Sequence, residues 1–138
     1  MRKHSLLFVL LLFIGVSCSK EKSSEIKENL VMDIMTAGTW TLDFFTSSTV
    51  SVLSEYNGYT FQFYRNGSVD AFKGANVVTG TWYGNQKERS ITASFPQGSG
   101  PLLRFNTTWF LYGVTLTSVQ ARAVANNFFY TIRLVKKP

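Results

Sequence analysis

Few residues in this sequence could carry bond-making chemistry. Its 138 residues include one histidine, His4, and one cysteine, Cys18. A single cysteine forms no intrachain disulfide and no cysteine-rich metal site. His4 lies in a segment read below as cleaved, which leaves the mature chain without histidine. That excludes histidine-based triads, histidine general bases and histidine-ligated zinc together. Carboxylates are the remaining acid–base groups. After Gly38 they are Asp43, Glu55, Asp70 and Glu88, with no two within six residues of each other. Such spacing gives no sign of the paired acids of glycoside hydrolysis or of an acidic cluster for a divalent cation. Gly98-Ser99-Gly100 is a loop tip rather than a phosphate cradle, since no helix with a lysine follows it. The expectation is a protein with no catalytic residues, no metal and no cofactor, not an enzyme.

Charge points elsewhere. The chain carries 14 Lys+Arg against 8 Asp+Glu, a formal net charge of +6. Half of the acids (Glu21, Glu25, Glu28 and Asp33) precede Gly38. The bases from Arg65 to Lys137 are scattered rather than clustered, which reads as a solvated basic surface. For an exported chain the expectation is no nucleic-acid partner.

The start of the sequence supplies the export signal. Met1-Arg2-Lys3-His4 is a short basic segment, and Ser5 to Val16 is an apolar run of twelve residues. A helix needs about 20 residues to span a bilayer. A basic start, a short apolar run and then small residues form the pattern of a secretory signal. Cys18 follows Gly15-Val16-Ser17 directly, an arrangement that resembles the lipobox of bacterial lipoproteins. The resemblance implies cleavage before Cys18 and acylation of that residue, anchoring the protein to a membrane at roughly 0.8 kcal/mol per buried CH₂. Gly15 stands where a typical lipobox has leucine; looser forms ending in Ser-Cys occur in lipoproteins of the Bacteroidetes type. Ser19 rather than aspartate after the cysteine implies the outer membrane by the same resemblance, on either its periplasmic or its surface face.

These assignments divide the chain into a signal peptide (1–17), a polar flexible tether (18–25) and one folded domain (26–138). Ile26, Leu30 and Ile34 recur at helical spacing, which predicts a short amphipathic helix ending near Gly38. From Thr39 the period changes to two. Trp40, Leu42 and Phe44 share one face; Tyr59, Phe61 and Phe63 share another; Ile91, Ala93 and Phe95 a third. Asn66-Gly67 and Asn126-Asn127 mark turns, and Pro96–Pro101 marks a loop. Phe128, Tyr130, Ile132 and Leu134 alternate to the end. About eight short strands without intervening helices predict an all-β fold, an eight-stranded antiparallel up-and-down barrel or a sandwich, preceded by a short N-terminal helix.

The order of three motifs is similar to that of the lipocalin superfamily, and closer still to the lipocalin-like lipoproteins of Bacteroidetes. They are Gly38-Thr39-Trp40-Thr41-Leu42, Phe61-Gln62-Phe63-Tyr64-Arg65-Asn66-Gly67 and Gly80-Thr81-Trp82, with Leu134-Val135-Lys136 at the end. The likeness covers roughly Ile26 to Lys137 and implies the barrel rather than the sandwich. It also implies that Trp40 closes the barrel floor beneath an arginine of the last strand, for which Arg133 is the candidate. The candidate cavity wall is Phe44, Phe61, Phe63, Trp82, Ile91 and Leu134.

Two functions follow. In one, the barrel binds a small apolar or amphipathic molecule. In the other, those large side chains fill the barrel as a close-packed core. The protein then acts as a structural or interaction lipoprotein, an inhibitor or an accessory of an envelope complex. Thr46–Asn57 and Pro96–Arg104 would form its contact surface for a protein partner.

Overall fold

The computed structural model describes residues 30–138. The segments expected to be a signal peptide and a tether, Cys18, and the first turn of the expected helix lie outside them. A helix over 30–36 leads into β1 (Trp40–Ser47), β2 (Val50–Ser51), β3 (Tyr59–Phe63), β4 (Ser68–Lys73), β5 (Asn76–Asn85), β6 (Ser90–Ser94), β7 (Thr107–Val114), β8 (Ser118–Ala125) and β9 (Phe128–Lys136). Each strand from β3 onward pairs antiparallel with the next, and β9 returns to pair with β1. The result is a closed eight-stranded up-and-down barrel, with β2 a short flap on β1. Closure removes the open sheet edges that would otherwise invite pairing with other chains.

The turns explain themselves residue by residue. Asn126 and Asn127 both take positive φ (52° and 65°) between β8 and β9, as a two-residue type I′ hairpin requires. In the β3–β4 turn only Gly67 does so (φ 89°). Asn66 instead accepts the backbone N–H of Ser68 on its side-chain oxygen, 2.9 Å away.

Period-two alternation places one face of each strand inside. Phe61, Phe63, Val69, Ala71, Trp82, Ile91, Ala93, Trp109, Val119, Ala121, Tyr130, Ile132 and Leu134 are all buried. Two strands break the alternation. β1 shifts register between Leu42 and Phe44, so Phe45 rather than Phe44 enters the core. β7 shifts between Leu111 and Gly113, so Gly113 pairs with the outward Gln120, beside a Tyr112 that alternation from buried Trp109 already leaves outside. Each shift is a β-bulge, where one extra residue reverses the facing of those beyond it.

The two segments expected to form a contact surface contain regular structure. Thr46–Asn57 contains the end of β1, the β2 flap and a 3₁₀ turn, Leu53–Tyr56. A second 3₁₀ turn, Gly100–Phe105, follows the proline-glycine stretch. Each drives aromatic or aliphatic side chains (Tyr56; Leu102 and Phe105) into the same end of the barrel.

Candidate functional site

The barrel interior is the first place to look for a site, and side chains occupy it. At the end closed by the 3₁₀ turns, Phe45 stacks on Tyr56 with ring centroids 4.7 Å apart. Phe105, Trp109 and Tyr130 meet Phe45 edge-on at 5.8–6.0 Å. The Tyr56 hydroxyl donates to the Pro101 carbonyl at 2.9 Å, and Arg104 joins it to Glu55. Burial pushes the Tyr56 hydroxyl up to about 12, against the pull of the neighbouring Arg104.

The N-terminal helix closes the opposite end. Met35 is buried, the indole N–H of Trp40 donates to its carbonyl at 2.9 Å, and Asp33 pairs with Arg65 on the β3–β4 turn. Trp82 is anchored similarly, donating to the Tyr64 carbonyl at 2.9 Å with its ring edge-on to Phe63.

Between the two plugs lies a void of about 40 Å³, lined entirely by apolar side chains including Phe61, Phe63, Ile91, Ala121 and Leu134. Drug-sized ligands occupy pockets of about 300–1,000 Å³. A void of this size is a packing defect on that scale, and its apolar lining offers a water no hydrogen-bond partner.

The expected wall residues therefore separate. Phe61, Phe63, Ile91 and Leu134 converge on the void. Trp82 is core at the helix-plugged end, outside its lining. Phe44 is not wall at all: the β1 bulge turns it outward, 42% exposed. Trp40 is fully buried at the end of the barrel that the helix plugs, and Arg133 does not cover it. Arg133 faces outward and pairs with Asp43 at 2.6 Å. The cation over Trp40 is Lys136, whose Nζ sits 5.5 Å from the ring centroid. Lys136 is the direct cross-strand neighbour of Trp40, whereas Arg133 is opposite Phe44.

Among the described residues no three His, Cys, Asp or Glu side chains gather as a metal site would require. Asp33, Asp43 and Glu55 each meet an arginine, and Asp70 accepts from Thr79.

The outer wall carries the feature that sequence reasoning missed. On β7, β8, β9 and β1 the outward positions form a grid set by register: Phe110–Arg122–Thr131–Thr46 in one row, Val124–Phe129 above it, and Gln120–Arg133–Phe44 below it. Tyr112 sits at the β7 bulge with the Arg122 guanidinium 4.2 Å over its ring. Phe110, Tyr112, Val124, Phe129 and Phe44 are all substantially exposed. The alternation of β9 already placed Phe129 opposite its core face. The alternation of β7 likewise turns Tyr112 out with Phe110, whereas the bulge that turns Phe44 out has no signal in a single sequence.

A closed up-and-down barrel plugged by a helix at one end and by 3₁₀ turns at the other is the class of protein defined here. Among solved structures it is similar to a DUF4847 family protein from Bacteroides vulgatus ATCC 8482, with a TM-score of 0.54. That match covers 78% of this chain and 97% of the other at 14% identity, a likeness of fold. No family model and no curated protein sequence matches the chain.

Proposed function

We propose that this protein is a lipid-anchored lipoprotein of the bacterial outer membrane, with a lipocalin-like barrel that works through its surface rather than by holding a ligand inside. The observation that carries the reading is the filled interior, where the remaining void is about 40 Å³. A small-molecule carrier needs roughly ten times that volume. The lipocalin-like assignment draws on the strand order, the plugging helix and the buried Trp40 that opens β1. The anchor rests on Gly15-Val16-Ser17-Cys18 after the apolar run. The protein is read as a binding partner in an envelope assembly and not as an enzyme, because its carboxylates are dispersed and three of them are engaged by arginines.

Native mass spectrometry on the full chain, released by mild detergent from its own host, tests the reading. The expected mass is that of the acylated chain from Cys18 alone. A reproducible, stoichiometric added mass that is lost on denaturation would replace this reading with that of a ligand-holding barrel.

A further inference from the structure

We infer that the outer wall of β7, β8, β9 and β1 is a docking face for another protein, one that presents a carboxylate to Arg122. The inference rests on the surface-acting reading and assigns the surface.

The wall is unusual in composition as well as exposure. Phe110 is 50% exposed, Val124 65% and Phe129 55%. Register makes them neighbours rather than scattered single residues. Isolated exposed apolar side chains are ordinary, but a contiguous group on one face marks an interaction surface. Aromatic residues and arginine are enriched at protein interfaces, and lysine is depleted. The wall fits that bias: it holds Phe44, Phe110, Tyr112, Phe129, Arg122 and Arg133, while Lys73, Lys87, Lys136 and Lys137 all stand elsewhere.

Charge selects the occupant. Arg133 is already matched by Asp43. Arg122, in the middle of the grid, has no carboxylate partner among the described residues and is held in place by stacking on Tyr112. A preordered guanidinium among apolar groups suits a bidentate carboxylate. A second copy of this chain is disfavoured, because a two-fold contact centred on the wall would bring Arg122 against Arg122. A bilayer is disfavoured too. Anionic lipid attracts lysine and arginine alike, and a convex barrel wall would meet a flat membrane only along a narrow line.

The test is site-specific photo-crosslinking of the full acylated chain in its host. The crosslinking residue is placed in turn at positions 112 and 124 on the wall, at 83 on the far wall, and at 103 in the second 3₁₀ turn. The expected result is one protein adduct from 112 and 124 and none from 83. Arg122→Glu should lower the adduct yield at least tenfold, and changing the partner's crosslinked Asp or Glu to Lys should restore it. If Arg122→Glu does not reach the membrane folded, Arg122→Gln carries the same comparison without the rescue. Adducts with lipid alone, adducts with a second copy, or a yield unmoved by either Arg122 variant would overturn the inference. Adducts from position 103 alone would also overturn it while leaving the surface-acting reading intact. A bound small molecule in native mass spectra, with no protein adduct from any position, would remove both.

Discussion

Lys136 and Trp40 face each other across the β1–β9 seam, with the ammonium 5.5 Å from the indole centroid. Lys136 covers the buried indole, and the Met35 carbonyl of the plugging helix accepts the indole N–H. Trp40 therefore makes packing, hydrogen-bond and cation–π contacts at once. Trp40→Ala is expected to destabilise the fold by about 3–5 kcal/mol, the range for removing a large buried aromatic side chain. Lys136→Ala should cost about 1 kcal/mol or less. Urea unfolding of the two variants side by side checks the ratio; equal losses would mean that the indole is not the main element.

Gly80 on β5 packs against the end of β6. A Cβ built there would meet the Ser94 carbonyl oxygen at 2.2 Å and the Phe95 ring at 2.8 Å. The first of these atoms is backbone and cannot rotate away. Gly80→Ala should cost about 3 kcal/mol or more, at the upper end of overpacking effects. A melting temperature within a degree or two of wild type would show that the strands can separate there without loss.

Tyr56 gives the fold an alkaline limit. Its hydroxyl stays protonated in the folded state up to about 12, against 10.0 in the unfolded chain. Below pH 10 both states are protonated and the group adds no pH dependence. Between pH 10 and 12 only the unfolded chain releases the proton, so stability falls as pH rises, by about 2–3 kcal/mol in all. Tyr56→Phe should cost about 1 kcal/mol at pH 7, since it leaves the Pro101 carbonyl without its donor. It should also flatten the loss above pH 10. Urea midpoints at pH 8 and pH 11 for both proteins measure the difference; parallel losses would assign the alkaline limit to other groups.

The void in the barrel invites filling. Ala121 is buried in its lining. Ala121→Val adds two methyl groups toward a space of about 40 Å³, and a gain of about 0.5–2 kcal/mol is the common result of filling a cavity. A loss in thermal stability would mean that the added methyl groups meet the opposite wall.

Cys18→Ala tests the proposed anchor. The variant should move from the membrane to the soluble fraction of cell extracts. Retention in the membrane fraction after a salt wash would mean that something other than acyl chains holds the protein there.

Much of the architecture was legible because an up-and-down barrel writes itself as period-two alternation interrupted by turn residues. Phe61 and Phe63 on β3, and Ile91 and Ala93 on β6, followed that rule and were placed inside by it. Phe44 failed it for a local reason: the bulge after Leu42 is a backbone event with no residue signature, and it exchanged Phe44 for Phe45. Arg133 failed for a related reason. An arginine in the last strand was legible, but the cross-strand register that sets Lys136 against Trp40 was not. Whether the interior was hollow could not be read either, since the side chains that line a cavity are the same ones that fill a core. The docking wall needed the β1 bulge and the closed register before its residues became neighbours.

β1 pairs along its whole length with β9, from Trp40↔Lys136 to Ser47↔Tyr130, but with β3 only at Trp40↔Phe61. The first strand to leave the ribosome thus waits for the last before it can be held in the sheet. Its contacts span almost the entire domain in sequence, the arrangement that slows folding most. The ring shuts only when residues 128–136 arrive, so loss of that segment would leave β1 with no strand partner but the two-residue β2 and a single position of β3.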